Sequence, residues 1–343
     1  MNPLYRQLLR PLFFRLPPEW VHQRAMAALE VDAFTRPFRR WTSTPTPELE
    51  VELWGKKFPN PVGLAAGFDK NAEALPAWAN LGFGYAEIGT VTPLPQPGNP
   101  APRIFRIPEA KALINRLGFP NVGAEEVRLR LAKLRDRGAW PSIPIGINIG
   151  KMKDTPLEEA AADYLECFHR LHDFADFVVV NISSPNTPGL RQLQDKRFLE
   201  SLFVPMLNER DSLGTRVPVL VKLAPDLIEA QLGEIIEVIG DLNLDGIVAT
   251  NTTIDHSSVT LQETGGLSGK PLLKSSTEVL RFLHRESGGK IPLIGAGGVF
   301  TADDARAKLD AGASLVQLYT GFVYQGPLVA WEICQGLRAE PAA

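Results

Sequence analysis

The sequence predicts an α/β protein, a (β/α)8 barrel carrying a small N-terminal helical extension. Three observations predict it: eight short apolar runs recur after residue 60, helix-like stretches separate most of them, and polar residues gather where each run stops. The runs are residues 62–66, 85–90, 145–149, 177–182, 219–223, 246–250, 292–296 and 315–319. Each is five or six residues long and mostly apolar without strict alternation, as strands buried on both faces should be. Eight such strands alternating with helices make a closed barrel; a doubly wound sheet is the competing arrangement.

Taken in order, residues 1–41 come first. They hold seven arginines (6, 10, 15, 24, 36, 39 and 40) against Glu19, Glu30 and Asp32, so this segment carries +4 and the remainder −7. Interleaved are Leu4, Leu8, Leu9, Leu12, Phe13, Phe14, Trp20, Val21, Met26 and Leu29. Arg6, Arg10 and Arg15 interrupt any secretory core, and no small-residue cleavage site follows. A basic segment with apolar side chains reads as an amphipathic element on an anionic membrane surface or as a helix packed on the barrel. Residues 42–47 look like a linker, and Trp54-Gly55-Lys56-Lys57 suggests a hairpin closing the barrel bottom. Helices are predicted over 156–174, 227–239, 276–286 and 301–311, with Asp154-Thr155-Pro156 and Thr301 with Asp304 as starts. Loops rich in Pro and Gly (92–102) or simply long (252–269) belong above the strand ends, where such barrels build their sites. Residues 311–331 are uncharged, but Gly312, Gln317, Gly321, Gln325 and Gly326-Pro327 break any membrane span into a strand, a loop and a helix start.

Composition narrows the function. A net charge of −3 with 22% charged residues gives no sign of nucleic-acid binding. Cys167 and Cys334 lie in helix-like stretches and read as small buried hydrophobes in a reducing compartment. His169 and His172, near Asp173 and Asp176, offer at most half a metal site, so no metal is expected.

At the strand ends stand Ala66, Gly67, Phe68, Asp69 and Lys70; Thr90; Asn148; Asn181 through Thr187; Lys222; Thr250, Asn251 and Thr252; Gly297 and Gly298; and Tyr319 and Thr320. Lys222 lies inside an apolar strand, where an unpaired charge is expensive, so it requires a carboxylate or an electron-rich ligand beside it. Glycines after the last two strands match the usual phosphate seat of these barrels, though each alone is also an ordinary turn residue. Asn115, Asn148, Asn181, Asn186 and Asn251 each offer a donor and an acceptor, as does the edge of a pyrimidine-dione or an isoalloxazine ring.

The stretch from Asn181 to Arg191, NISSPNTPGLR, resembles the signature of the dihydroorotate dehydrogenase family. So do residues 65–70, 87–93, 115–119, 246–253 and 264–269, and the likeness runs from about residue 50 to 330. The helical extension, and serine at 184 where the soluble classes carry cysteine, resemble the quinone-dependent class.

That resemblance implies a TIM barrel with FMN as cofactor. The enzyme would oxidise dihydroorotate to orotate in pyrimidine biosynthesis and pass the electrons to a membrane quinone. The FMN phosphate would sit on Gly269, Gly297, Gly298, Tyr319 and Thr320. Its ring would lie near Ala66, Gly67, Phe68, Asp69, Lys70, Thr90, Asn148, Asn181, Lys222 and Thr250. Dihydroorotate would be held by Lys70, Asn115, Arg116, Leu117, Gly118, Phe119, Asn181, Asn186, Asn251 and Thr252. Ser184 would take the C5 proton while hydride leaves C6, with Thr187 and Phe119 as proton relay. His22 and Arg106 would face a quinone tunnel beneath the extension. The expected division is an extension over 1–41 and a barrel over 42–343. The expected location is peripheral, on the cytoplasmic face of the cell membrane, with no obligate protein partner. Two rivals are a cytosolic relative using fumarate or nicotinamide, against which Ser184 and the extension speak, and a silent membrane-docked barrel, against which Lys70, Ser184 and Lys222 speak.

Overall fold

Eight parallel strands close on themselves: β1 (Val62–Leu64), β2 (Tyr85–Val91), β3 (Ile145–Ile149), β4 (Phe177–Asn181), β5 (Val219–Leu223), β6 (Gly246–Ala249), β7 (Leu293–Ala296) and β8 (Leu315–Leu318). Each pairs with its chain neighbours, and β8 pairs with β1 to complete the circuit. The computed structural model describes residues 4–44 and 46–339. A helix α1 (Pro18–Leu29) precedes the barrel. The outer ring is α2 (Leu75–Asn80), α3 (Ala124–Asp136), α4 (Ala160–Leu171), α5 (Lys196–Ser212), α6 (Glu229–Leu242), α7 (Leu273–Glu286) and α8 (Ala302–Asp310). Then α9 (Thr320–Gln325) and α10 (Val329–Arg338) follow β8. The eight strands fall on the eight apolar runs, so the barrel rather than the doubly wound sheet is the fold.

Strand side chains alternate between the barrel interior and the helix layer. Tyr85, Phe177, Val179, Leu220, Val248, Ile294 and Leu315 make an apolar interior cluster. Two residues beyond Tyr85, Leu220 and Leu315 on the same strands stand Glu87, Lys222 and Gln317, so the alternation that fills the bottom of the barrel with carbon fills the top with polar groups. The hairpin pairs Val51–Leu53 with Lys56–Phe58. Trp54 (φ 53) and Gly55 (φ 70) both take the left-handed conformation that a two-residue turn demands. Phe58, wholly buried, then plugs the barrel bottom edge-on to Tyr85.

Thr301 caps α8 as predicted, accepting from Asp304 N–H at 3.3 Å while the Asp304 carboxylate accepts from Thr301 N–H at 3.0 Å. The start before α4 differs. Pro156, not Asp154 or Thr155, precedes a single 3-10 turn with no side-chain cap, and the Thr155 carbonyl instead takes the Lys151 ammonium. The segment read as a linker begins inside a short helix (Arg39–Thr42), anchored where Thr42 Oγ1 donates to the Asn80 carbonyl at 2.9 Å.

One element was not foreseen. Ile104–Ile107, Ala112–Asn115 and Gly266–Gly269 form an antiparallel sheet, tied to the end of β8 by Ser268 Oγ at 2.8 Å from Thr320 Oγ1. The extension packs beside it. Met26 enters the core, Tyr5 donates to the Val323 carbonyl at 2.7 Å, Glu19 pairs with Arg103 at 2.8 Å, and Arg106 donates to the Leu16 carbonyl at 2.7 Å. Yet Leu4, Leu8, Leu9, Leu12, Leu16, Trp20, Val31 and Phe34 of this segment are exposed, more than half of the large exposed hydrophobics among the described residues. No helix among those residues is long and apolar enough to cross a membrane.

Candidate active site

Glu87, fully buried on β2, organises the floor of the site. Its carboxylate accepts from Asn148 Nδ2 at 2.7 Å and from Gln317 Nε2, and it lies 3.5 Å from Lys222 Nζ. Lys222 therefore has its required partner, and the added hydrogen bonds offset the desolvation of a buried pair. Neither Glu87 nor Gln317 was singled out from sequence, although each is a polar group inside an apolar strand, the same signal that exposed Lys222.

Above this floor the amides interlock. Asn148 Oδ1 accepts from Thr90 Oγ1 and from Asn181 Nδ2 at 3.2 Å. Asn251 Nδ2 donates to Asn181 Oδ1 at 3.3 Å, and Asn186 Nδ2 to Asn115 Oδ1 at 3.1 Å. Asn115, Asn181, Asn186 and Asn251 face one cleft at the carboxyl ends of the strands, where barrels of this kind seat their ligands. Ala66, Gly67, Lys70, Thr90, Asn115, Leu117, Gly118, Phe119, Asn181, Ser184, Asn186, Lys222, Thr250, Asn251 and Thr252 line it, with Gly269, Gly297, Gly298, Tyr319 and Thr320 at the β7–β8 side.

Other predicted residues lie off the cleft. Asp69 is buried behind it, accepting from Glu73 N–H at 2.7 Å, Ala74 N–H at 3.0 Å and Trp78 Nε1 at 3.1 Å, so it shapes the turn that presents Lys70. Phe68 packs edge-on to Trp78, Tyr319 and Phe322. Asn148 supports Thr90 and Asn181 from below, and Thr187 is buried in the turn after Ser184. Arg116 pairs with Glu263 at 2.7 Å on a separate polar mouth shared with Asn99, Lys153 and Asn186. His22, on the barrel side of α1, stacks edge-on to Phe68 at 4.9 Å, and Arg106, beneath the extension, lies against the Phe14 ring at 4.7 Å.

Lys70 has no hydrogen-bond acceptor among the described residues. Burial first, then Arg103, lowers its pKa to about 8, while Asp69, Glu73 and Glu19 oppose the shift. An ammonium in this setting is a receptor for an anion. Ser184 Oγ accepts from the Asn186 N–H at 3.2 Å, which leaves its own proton free to move.

A flavin nucleotide fits these residues. Gln317 Oε1 and Thr252 Oγ1 are buried on the cleft without partners among the described residues, ready for ring polar groups. Gly269 (φ 103), Gly297 (φ 102) and Gly298 (φ 79) hold left-handed backbone that ordinary residues avoid. A Cβ on Gly298 would meet the Leu273 backbone at 2.5 Å. Such turns bring N–H groups close to a phosphate.

The family model described as Dihydroorotate dehydrogenase matches residues 48–340. The dihydroorotate dehydrogenase (quinone) of Gloeobacter violaceus is 51% identical over 341 residues, covering 97% of this chain and 94% of its own. That of a Synechococcus species is 47% identical over 367 residues, covering 98% and 94%. Among solved structures, DHODH of Eimeria tenella in complex with ferulenol superposes with a TM-score of 0.86 at 40% identity, covering 93% of this chain and 90% of that one.

Proposed function

The chain belongs to the dihydroorotate dehydrogenase family, and from that premise we propose how its residues divide the work of a flavin-dependent, quinone-linked oxidation of dihydroorotate to orotate. The observation that carries the division is one cleft lined by a half-buried ammonium without an acceptor among the described residues, Lys70, a serine with a free proton, Ser184, and four asparagines.

FMN is the flavin we assign, its phosphate on Gly269, Gly297, Gly298, Tyr319 and Thr320 and its ring toward Ala66, Gly67, Thr90, Lys222 and Thr250. When bound, it supplies the two-electron acceptor for hydride leaving substrate C6. Lys70 holds the substrate carboxylate, while Asn115, Asn181, Asn186, Asn251 and Thr252 offer paired donors and acceptors to the ring amides. Leu117, Gly118 and Phe119 cover the substrate and exclude water. Ser184 Oγ takes the C5 proton as its own proton leaves toward Thr187, because a neutral hydroxyl cannot act as base without handing its proton on. Lys222, braced by Glu87, stabilises negative charge that develops on the flavin side of the cleft. Arg106, beneath the extension, and His22, on its α1, are assigned to the quinone approach, and the extension to peripheral contact with an anionic membrane.

Orotate binding tests the assignment. Lys70→Met should weaken orotate roughly ten- to hundredfold by equilibrium dialysis, the worth of one charge-assisted hydrogen bond, with FMN content retained. Unchanged orotate affinity would remove Lys70 from the substrate site.

A further inference from the structure

Another buried ammonium lies behind the cleft and takes no part in the reaction. Lys308, on α8, is wholly buried. Its stem runs against β7, where a Cβ on Gly295 would come 3.0 Å from Lys308 Cδ. Its Nζ donates to Ser276 Oγ at 2.8 Å and Thr277 Oγ1 at 3.1 Å, both near the start of α7. Ser276 Oγ in turn reaches the Gly297 carbonyl at 3.2 Å, beside its bonds to the carbonyls of Leu272 (2.6 Å) and Leu273 (3.3 Å).

The charges around it do not balance. Asp304, one turn earlier on α8, accepts from Lys270 Nζ at 2.7 Å through both oxygens, and from Phe300 N–H at 2.9 Å. On α7, Ser276 and Thr277 present hydroxyls to Lys308, and His284 faces Gly289 and Gly312 instead. Two ammonium groups therefore share one carboxylate, leaving one positive charge behind the Gly297–Gly298 turn. Burial, the larger effect, pulls the Lys308 pKa down to about 7, against the opposing pull of Asp304. Such a group gains from any dianion seated on the cleft side of the turn.

We propose that Lys308 is a positioning residue for the phosphate of FMN, acting through Ser276 and the Gly297 turn so that the site selects phosphorylated over unphosphorylated flavin. This rests on the phosphate seat assigned above. Because a dianion favours the charged lysine, phosphate and proton bind together, and each strengthens the other by the same factor.

The test exchanges FMN and riboflavin on the full-length chain and measures both affinities at pH 7 and pH 9. A phosphate monoester, with a second pKa of about 6, is dianionic throughout that range. For the wild-type chain the FMN-to-riboflavin affinity ratio should fall on the order of tenfold from pH 7 to pH 9 as Lys308 loses its proton. Lys308→Met should show the lower ratio at both pH values with riboflavin affinity unchanged, which a merely structural role would not produce. A variant that discriminates like wild type, or a wild-type ratio flat with pH, overturns the proposal. The wild-type titration decides even if the variant does not fold. If wild type binds riboflavin as tightly as FMN at both pH values, the phosphate seat itself is wrong, and that failure is distinct from a wrong role for Lys308.

Discussion

At the scale of single residues the cleft sets a demanding problem for Ser184. A hydroxyl is a weak base, so its usefulness depends on burial and on the route its proton takes out. Ser184→Ala should leave FMN and orotate bound and slow flavin reduction by roughly 10²–10⁴-fold in anaerobic stopped flow, the usual worth of a positioned base. Parent-rate reduction in the alanine variant would assign the proton elsewhere. Ser184→Cys should recover activity as pH rises, because a thiolate needs no relay. This scale also shows why some of the site was legible and some was not. Lys222 stood out because its charge interrupts an apolar strand, and the structure supplies Glu87 at 3.5 Å. Glu87 and Gln317 interrupt their strands in the same way, yet a carboxylate can be read as the lysine's partner only once the barrel brings β2 beside β5 across its interior. Asp69 illustrates the reverse. It sits in the right motif, but its carboxylate is consumed by the backbone of the following turn.

At the scale of elements, the barrel strands were visible because each needs only a local signal, a short run of carbon ending in polar residues. The antiparallel sheet over the cleft was not, because its strands are only four residues long and the third, Gly266–Gly269, begins and ends in glycine and reaches Ala112–Asn115 across about 150 positions. Its existence is a tertiary fact. The extension is intermediate: its amphipathic composition was plain, but its docking rests on contacts with Val323, Arg103 and Arg106 that no local pattern announces. His22 makes that docking sensitive to acid. Burial first, and Lys70 second, lower its pKa to about 3, so the docked helix holds it neutral. A histidine whose folded value is depressed contributes stability that is fully present above its free value of about 6.5 and lost as pH falls toward 3. Amide exchange over α1, relative to the barrel strands, should therefore accelerate below pH 6.5, on the order of tenfold by pH 5. His22→Leu should flatten that dependence. An α1 that stays equally protected in the wild-type chain down to pH 5 would contradict the coupling.

At the scale of the whole molecule, the extension has two faces, one bonded to the barrel and one apolar and exposed. One face is bonded to the barrel, which makes deletion of 1–41 a poor instrument: removing Tyr5, Glu19 and Met26 strips contacts from α9, Arg103 and the core together, and stability should fall for reasons unrelated to lipid. The outward face is the informative one. Leu8, Leu12 and Phe34 are 63%, 56% and 63% exposed, so changing all three to glutamate disturbs little packing. Arg6 and Arg10 are bonded inward to Glu332 and the Tyr324 carbonyl, but the exposed Arg15, Arg24, Arg36, Arg39 and Arg40 would meet anionic headgroups, each contributing about 1 kcal/mol at low salt. Apolar side chains inserted between those headgroups would add a part that salt does not screen. Flotation with anionic liposomes should then weaken in two separable ways: raising salt removes the arginine share, and the triple glutamate variant removes the apolar share. Flavin reduction by dihydroorotate and turnover with a small soluble dye should be unchanged in that variant, because the three exposed side chains do not line the cleft. Turnover with a long-tailed quinone in vesicles should fall steeply, since that acceptor must be collected from the bilayer. Equal losses with dye and quinone, or a triple variant that still floats with vesicles, would return the extension to a purely structural role.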